Sequence, residues 1–370
     1  MFRKIYSIND KKQIIENERI SFGKSRENNL DYQKYIDTSN TFGIFNLQGD
    51  LKSSLSIYPC NIISNNIYLR VLGIGHVATR PEFRNQGNMR KILEQVLAYG
   101  RNNNYDVSIL YPYSCALYQS TGFRICEYCH RIELDLEQLK QIEPQGQMEK
   151  CDSRQVDSVN KIYKKYIKFL NRGEIKKNVL YEKKNKREVR FFWRNKKNIR
   201  KSFIEFVLDN EKNIKINKFY YFDNEGLYGM LGAMRVFAGR YKRLIWDIPD
   251  GININECISK LENVEIVTKV KTMIRIINLE KLLLKIPYKY KKDMYLEVTD
   301  PIIKENTGIY RLSKNGNKKI DKKSSAIQGI KISIEELTSI LFEENKGVNY
   351  RKNEARWNKL QLQIHLEQYF

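Results

Sequence analysis

The sequence lacks any long apolar segment. No stretch of its 370 residues approaches the run of about 18 apolar residues that a transmembrane helix requires. The first residues, Met-Phe-Arg-Lys-Ile-Tyr-Ser-Ile-Asn-Asp, contain no apolar core of the kind found in signal peptides, so no export is predicted. The six cysteines are scattered and do not show the spacing of a disulfide framework. Together these absences predict a cytoplasmic protein with free thiols.

Several common binding motifs are also missing. The sequence contains neither the Walker loop G-x-x-x-x-G-K-[ST] nor the dinucleotide fingerprint G-x-G-x-x-G. No group of His, Cys and acidic residues has the spacing of metal ligands, so no metal is predicted. Residues 126–130 match the haem attachment signal C-x-x-C-H. That chemistry requires export, however, and the same segment is predicted to be a strand.

Acidic residues are fewer than basic ones, 43 against 66, and the formal net charge is +23. Such an excess is typical of proteins that contact nucleic acid or anionic membranes. The densest basic block, residues 176–201, also contains Phe191, Phe192 and Trp193. We favour a solvated, partly helical face for this block. The alternative is a nucleic-acid groove, which predicts binding that weakens steeply with salt.

The sequence does contain a strand, a basic turn and a helix in direct succession at residues 74–93. The apolar residues before Pro81 predict the strand, and Pro81 ends strand pairing because it has no N–H to donate. A helix is predicted to begin after Gly87 and to end at Gly100, a C-terminal breaker. Its buried face repeats every 3.6 residues, at Met89, Ile92, Leu93, Val96 and Leu97.

The turn at residues 84–89 is predicted to bind an anion. The first N–H groups of a helix have no intrahelical partner, and the helix dipole attracts negative charge. Gly87 has no Cβ, so a phosphate can approach the backbone closely. A strand, a glycine-containing turn and a helix in this order can hold a pyrophosphate. A single glycine at such a turn is common, however, and does not by itself distinguish a binding site from an ordinary connection.

The order of predicted elements divides the chain into three units. The first, residues 1–143, alternates strands and helices and has the size of one α/β domain. The second unit, residues 144–272, begins with a linker and continues with a helix at 156–170 and strands at 203–208, 218–222, 229–237 and 245–248. The third unit, residues 273–370, is predicted to contain strands at 294–298 and 308–312, a helix at 334–342, and a strand at 360–366.

The basic turn resembles the acetyl-CoA loop R/Q-x-x-G-x-G/A of the GCN5-related N-acetyltransferases (GNATs). Within that family it resembles the enhanced-intracellular-survival (Eis) branch, whose run P-x-x-R-x-x-G-x-[LM] is matched by Pro81, Arg84, Gly87 and Met89. The resemblance implies a GNAT fold for the first unit and a second GNAT-like domain without the cofactor loop. The run L-E-V-T-D-P followed by N-T-G-I-Y-R-L resembles the sterol-carrier-like third domain of the same family.

This resemblance also implies an activity, the transfer of acetyl from acetyl-CoA to primary amines of small polycationic molecules such as aminoglycosides, by hexamers. Tyr118 would protonate the departing CoA thiolate, and the α-carboxylate of Phe370 would act as the general base. The backbone of residues 77–79 would pair with the pantetheine arm and polarise the thioester. The cofactor-binding residues implied in this way are Val77, Ala78, Thr79, Arg84, Asn85, Gln86, Gly87, Asn88, Met89, Arg90, Tyr113 and Ser114.

A polycationic acceptor would require acidic residues concentrated around its pocket, because the chain as a whole is basic. Glu18, Asp31 and Glu367 are candidates for this pocket. His76, on the predicted cofactor strand, is the next candidate for the base and is otherwise expected to pack or to face solvent. A different class of function, an apolar-ligand carrier built on the third unit, predicts a continuous apolar cavity there.

Overall fold

The computed structural model describes residues 1–23, 40–143, 145–177, 179, 188–249, 264–288, 292–321 and 329–342. These residues fall into two compact units. The first unit contains residues 1–126 together with the described residues that follow position 270. The second unit contains the described residues between 127 and 270.

The elements alternate along the chain. The strands are β1 (Phe2–Lys4), β2 (Asn40–Phe45), β3 (Leu51–Ser64), β4 (Ile67–Thr79), β5 (Val107–Leu110), β6 (Arg124–Asp135), β7 (Gly146–Lys150), β8 (Arg172–Glu174), β9 (Glu188–Asn195), β10 (Arg200–Leu208), β11 (Asn213–Tyr221), β12 (Arg243–Pro249), β13 (Glu265–Ile276), β14 (Met294–Thr299), β15 (Gly308–Leu312), β16 (Lys318–Ile320) and β17 (Ile330–Ser333). The helices are α1 (Ile8–Phe22), α2 (Asn88–Asn102), α3 (Cys115–Gln119), α4 (Val156–Leu170), α5 (Asn224–Ala233), α6 (Leu279–Lys285) and α7 (Ile334–Phe342).

In the first unit, β1 to β4 pair antiparallel in sequence order. Strand β5 pairs parallel with β4 and antiparallel with the end of β13. Helix α2 follows a short 3₁₀ turn at Pro81–Phe83 and packs against this sheet. Its inward side chains share one core with Leu72 and Ile74 of β4. The predicted strand, turn and helix are therefore confirmed, and so is the predicted apolar face of the helix.

Helix α2 does not end at Gly100, as the sequence predicted, but continues for two more residues. Gly100 is buried, and a carbon added at its Cβ position would lie 2.7 Å from Ile277 Cδ1 and 2.9 Å from Leu72 Cδ2. The glycine is therefore needed for close packing inside the helix rather than for ending it. The helix ends at Asn102 and is capped by Asn103, whose side-chain amide donates to the carbonyl of Tyr99 in the last turn (2.8 Å).

A separate sheet of the first unit is formed by β16, β15, β14 and β17, in that order. Strands β14 and β15 and helix α7 confirm the elements predicted at 294–298, 308–312 and 334–342. The inward face of α7 is also the predicted one, with Leu337, Ile340 and Leu341 buried. The strand predicted at 360–366 lies outside the described residues.

In the second unit the strand order is β6, β12, β11, β10, β9, β7. Strands β11 and β12 are parallel, and the other neighbours are antiparallel. Helix α4 lies on this sheet with the predicted face inward. The rings of its Tyr163 and Tyr166 contact the ring of Tyr220 on β11, with centroids 5.0 and 5.4 Å apart. The second unit is thus also an α/β layer structure, as predicted.

The strand predicted at 229–237 is wrong, because this segment is the end of helix α5 followed by a 3₁₀ turn. Asp223 caps the helix by accepting from the N–H of Gly226 (2.8 Å). A carbon added at Gly229 would lie 2.2 Å from the ring of Trp193, so the glycine permits a close helix–sheet contact. Most of α5 is buried. A helix buried on most sides shows no 3.6-residue period and cannot be told from a buried strand by its apolar pattern.

The arginines in the described part of the basic block form ion pairs. Arg190 pairs with Glu205 (2.7 Å), and Arg200 pairs with Glu149 (2.6 Å). Trp193 lies in the core of the second unit and does not project with the basic side chains. Residues 178 and 180–187 of this block lie outside the described residues. In the described part, this arrangement favours a structural face over a nucleic-acid groove. That face is formed by β9 and the start of β10, so the partly helical character predicted for it is wrong there.

Candidate active site

Strand β4 is bent at the place where the sequence predicted the cofactor strand. Gly75 and Ala78 are three positions apart on β4, but their partners on β3 are only two positions apart. His76 and Val77 therefore lie together opposite a single residue of β3. This is a β-bulge, which bends the strand that carries the extra residue. His76 has a left-handed φ of 52°, a conformation that is uncommon for a residue with a side chain. The bulge redirects the last residues of β4.

Helix α1 supports this bend with polar side chains. The amide of Asn17 donates to the Ala78 carbonyl (3.2 Å) and to the Ser54 hydroxyl (3.0 Å). A Glu18 carboxylate oxygen lies 3.5 Å from Nδ1 of His76, and the two side chains are 1% and 12% exposed. Glu18 and His76 were predicted separately as candidate residues, and their contact was not predicted. The sequence does contain a signal for the inward position of these α1 side chains. Asn17 and Glu18 follow the apolar residue Ile14 by three and four positions, which places them on the same, inward face of α1.

Strand β4 extends past the end of its parallel neighbour. The β4–β5 ladder ends at Ile74 and Leu110, and β4 continues to Thr79. After Leu110 the chain leaves the sheet and enters α3. In open α/β sheets, ligands bind beyond the carboxyl ends of the strands. The backbone of residues 77–79 is placed where the extended arm of a ligand can add to the sheet as a further strand.

The turn between β4 and α2 has two left-handed residues, Asn85 (φ 58°) and Gly87 (φ 71°). Gly87 is the N-cap of α2. Apart from Gly87 and its two chain neighbours, no atom of the described residues lies within 4 Å of the position that a Cβ of Gly87 would occupy. This open space lies beside the first N–H groups of the helix, which lack intrahelical acceptors. The local geometry fits a pyrophosphate held by backbone groups.

The polar side chains of the turn mostly brace its backbone. The side chains of Arg84, Gln86 and Asn88 donate to main-chain carbonyls at 3.1, 3.1 and 2.8 Å. Arg90 forms an ion pair along α2 (2.8 Å). Met89 is turned inward and packs against the core. The part of the turn that remains suited to an anion is therefore its backbone, with Arg84 and Arg90 adding positive charge nearby.

The remaining predicted cofactor residues lie on β4 and after β5. Val77 is partly buried against the core, and the hydroxyl of Thr79 lies 3.0 Å from that of Ser53 on β3. Tyr113 is 96% exposed. Ser114 is the N-cap of α3, and no cap hydrogen bond from its side chain is seen among the described residues. The assignment of these four residues to the cofactor site therefore stays a prediction.

Tyr118, the predicted general acid, lies on the short helix α3 and is 6% exposed. Its ring meets that of Phe123 edge-on, with centroids 6.3 Å apart. Burial raises the pKa of Tyr118 to about 12, because an apolar environment disfavours the charged phenolate. The backbone turn after Tyr118 is closed by Thr121, whose N–H and hydroxyl both donate to the Tyr118 carbonyl (3.0 and 2.9 Å). The phenol is therefore held in place and remains protonated at neutral pH.

Three predicted residues lie outside the described part of the chain: Phe370, Asp31 and Glu367. Within the described ranges, no group of His, Cys, Asp and Glu side chains is arranged to hold a metal ion. Likewise, none of the helices in these ranges combines the length and apolar character needed to cross a membrane. The five cysteines in the described residues are not joined in disulfides.

Comparison with known families identifies two segments of the chain. Residues 3–126 match the acetyltransferase (GNAT) domain family, and residues 279–346 match the sterol carrier protein domain family. No curated protein matches the chain. The first match covers β4, the Gly87 turn and Tyr118, and the second covers the separate sheet of β14 to β17.

Solved structures similar to the whole chain agree with these matches. A probable N-acyltransferase from Enterococcus faecalis aligns over 100% of this chain and 99% of its own, with a TM-score of 0.86 and 17% identity. A GCN5-related N-acetyltransferase from Anabaena variabilis aligns over all of both chains, with a TM-score of 0.82 and 16% identity. Eis1 from Mycobacterium abscessus does so with a TM-score of 0.76 and 12% identity. At these identities the likeness establishes a shared fold.

The match of residues 3–126 to the acetyltransferase (GNAT) domain family defines the class of the protein as an N-acetyltransferase. It combines a GNAT domain, a second GNAT-like region and a C-terminal sterol-carrier-like domain, as the sequence predicted. The prediction of acetyl-CoA as co-substrate is confirmed with it. The bulged β4 and the open Gly87 turn are the features of this chain that fit such a co-substrate.

The open space at Gly87 leads to a test of pyrophosphate binding. Gly87→Glu and Gly87→Gln place side chains of nearly the same shape in that space, and only the first adds negative charge. We expect both to weaken acetyl-CoA binding by steric exclusion, and Gly87→Glu to weaken it at least tenfold more, because charge repulsion near an anion adds to the steric effect. Titration calorimetry measures both affinities.

Thermal unfolding of the two Gly87 variants is the control for the fold. A side chain at a left-handed position costs roughly 1–2 kcal/mol, so both variants should lose similar stability and remain folded. Acetyl-CoA affinity equal to that of the unaltered protein in both variants would contradict the assignment of the turn.

Proposed function

We propose that the protein is an Eis-like acetyltransferase that acetylates primary amines of small polycationic molecules such as aminoglycosides. The observation that carries the proposal is an arrangement within one domain. The bulged end of β4 leads to an open glycine turn, and the same domain contains a buried and protonated Tyr118. The run Pro81, Arg84, Gly87 and Met89 supports the Eis-like branch, as does the likeness in fold to Eis1 over the whole chain.

Acetyl-CoA would be held by backbone groups along β4 and at the start of α2. The N–H groups at the start of α2 suit its pyrophosphate. The N–H and C=O groups of residues 77–79 suit its amide-rich pantetheine arm, because an extended chain can pair with an exposed strand. Donors that point at the thioester carbonyl would stabilise the oxyanion formed when an amine attacks. The hydrogen bonds from Asn17 of α1 to Ala78 on β4 and to Ser54 on β3 would help to hold these donors in place.

Tyr118 would supply the proton for the leaving group. When the acceptor nitrogen forms its bond to the acetyl carbon, the carbon–sulfur bond breaks and a thiolate departs. A thiol has an ordinary pKa of about 8.5, so the protonated thiol is the stable product at neutral pH, and a donor placed at the sulfur can supply its proton as the bond breaks. The phenol of Tyr118 carries this proton at neutral pH, because the ordinary pKa of tyrosine is already about 10 and burial raises it further.

The acceptor amine must lose a proton as it attacks. We assign this step to the α-carboxylate of Phe370, on the resemblance described above, although Phe370 lies outside the described residues. A carboxylate is a weak base for an ammonium group, so it would act on the small neutral fraction of the amine or through a water. The alternative base is His76, which Glu18 contacts at 3.5 Å. Glu18 would in addition attract a cationic acceptor toward the bent part of β4.

A turnover screen tests the proposed function. Release of CoA thiol from acetyl-CoA would be followed with aminoglycosides, polyamines and lysine peptides as acceptors. We expect turnover with aminoglycosides at several amines, and mass spectrometry of the products would count the acetyl groups added. The Gly87→Glu variant serves as the control with impaired cofactor binding. Faster turnover with lysine peptides, or none with any amine, would contradict the proposed acceptor class. Size-exclusion chromatography with light scattering would test the proposed hexamer.

Tyr118→Phe keeps the ring and removes the proton of the proposed general acid. Since a positioned acid contributes about 10²- to 10⁴-fold to rate, we expect kcat to fall in that range while acetyl-CoA affinity changes little. In the unaltered protein, loss of the phenol proton should not reduce the rate until the pH approaches 12, because the phenol stays protonated below its raised pKa. A kcat within twofold of the unaltered protein would move the acid role to another residue.

The proposed base is tested by blocking the carboxylate of Phe370. An extension of a few residues after Phe370 converts the α-carboxylate into an amide, so turnover should fall at least 10²-fold while the unfolding temperature is unchanged. The same residues added before Met1 provide the matched control and should leave turnover intact. Full turnover in the C-terminally extended protein would exclude the base role of Phe370, and His76→Gln would then test the alternative.

A further inference from the structure

Arg275, near the end of β13, is a fully buried charge with three donors in use. Its side chain and that of Asp300 are both 0% exposed, and Arg275 Nη2 donates to Asp300 Oδ1 at 2.7 Å. Nη1 donates to the carbonyl of Ile276 (3.0 Å), and Nε donates to the carbonyl of Thr121 (3.2 Å). A buried charge is costly unless it is paired and hydrogen-bonded, so this arrangement requires each partner to stay in place.

Asp300 is held by the turn that follows β14. Its Oδ1 also accepts from the backbone N–H groups of Ile302 and Ile303, both at 3.0 Å, and its Oδ2 accepts from the amide of Asn306 (2.9 Å). These contacts lie within the segment that matches the sterol carrier protein domain. They fix the direction in which the carboxylate meets Arg275. The sterol-carrier-like domain therefore determines where the guanidinium lies.

Through its Nε atom, Arg275 contacts the turn that follows Tyr118. Thr121, whose carbonyl accepts from Arg275 Nε, donates from its own N–H and hydroxyl to the carbonyl of Tyr118. The next residue, Gly122, packs directly on the guanidinium, since a carbon at its Cβ position would lie 2.5 Å from Arg275 Nε. A continuous path of short contacts thus runs from Asp300 through Arg275 and Thr121 to the backbone of Tyr118.

We propose that Arg275 is a positioning residue for the general acid, and that the sterol-carrier-like domain acts in catalysis by fixing Arg275 through Asp300. The proposal rests on the proposed role of Tyr118. Arg275 does not act on the reacting atoms. It fixes the turn after α3 and thereby the distance from the phenol to the departing sulfur. Small displacements of a catalytic group reduce rate strongly while leaving substrate binding nearly unchanged.

The hydrogen bonds donated by Arg275 support a positioning role rather than a role that only fills the core. An apolar side chain could fill the same volume and be equally stabilising. It could not donate to the carbonyl of Thr121, which needs a partner because it is buried main chain. A guanidinium supplies several donors in fixed relative directions, so one side chain can orient Asp300 and the Thr121 turn together.

The test is a double-mutant cycle between Arg275→Lys and Tyr118→Phe. Lysine keeps the charge for Asp300 but lacks the fixed set of donors. We expect Arg275→Lys to lower kcat about tenfold or more, with the KM for acetyl-CoA within about twofold of the unaltered protein. In the Tyr118→Phe background the same change should lower kcat by less than about twofold, because residues that act through one group are not additive.

Two further variants make the result decisive. Arg311→Lys alters the partly exposed pair of Arg311 with Asp293 in the same domain (2.7 Å), away from the Tyr118 turn, and is expected to leave kcat within twofold. Thr121→Val removes the hydroxyl donor to the Tyr118 carbonyl without altering the ion pair. It should lower kcat and again be non-additive with Tyr118→Phe. It therefore tests the same path if Arg275→Lys does not fold.

The outcomes separate this inference from the proposed function. If Tyr118→Phe alone leaves kcat within twofold, the acid role of Tyr118 is wrong and the inference fails with it. If Tyr118→Phe is slow but Arg275→Lys and Thr121→Val lower kcat equally in both backgrounds, the acid role stands and the positioning role is overturned. Unchanged kcat in folded Arg275→Lys and Thr121→Val also overturns the positioning role.

Discussion

The site depends on one constraint on strand β4, which must stay paired with β3 along its length and still present its last residues past the end of β5. A bulge meets this constraint, because an extra residue on one strand bends it without ending the ladder. The bend places polar backbone near the core. The carbonyl of Ala78 is satisfied there by Asn17 and Ser53, at 3.2 and 3.0 Å. Polar residues of α1 and β3 are therefore required by the bend itself.

The other parts of the site follow from the two parallel strands. Strand β4 ends at the glycine turn that begins α2, and β5 ends just before the helix that carries Tyr118. Because the strands are parallel, both connections leave from the same edge of the sheet. The buried face of α2 then fixes the turn, and burial around Tyr118 keeps its proton in place. The parallel pairing of β4 and β5 thus brings the glycine turn and Tyr118 to the same end of the domain.

In its described residues, the second unit uses similar layers without a comparable turn. Its sheet is covered by α4 and by the buried helix α5, and its arginines on β9 and β10 are paired with carboxylates. Two of the wrong sequence predictions, a strand at 229–237 and a helix end at Gly100, share a cause. In both cases a glycine is explained by a close contact with residues distant in sequence, such as Trp193 or Ile277. Local pattern carries no information about that contact.

The sequence by itself determined the strand–turn–helix at residues 74–93, the inward face of α2, the succession of α/β units and the family resemblance. These features depend on neighbouring residues, whose spacing fixes which side chains share a face. Only the tertiary structure decided the bulge at His76, the contact of Glu18 with His76, and the burial of Tyr118. It alone showed Arg275 donating to Thr121, which lies 154 positions earlier in the chain. Such contacts form between elements that meet only after folding, and no local spacing encodes them.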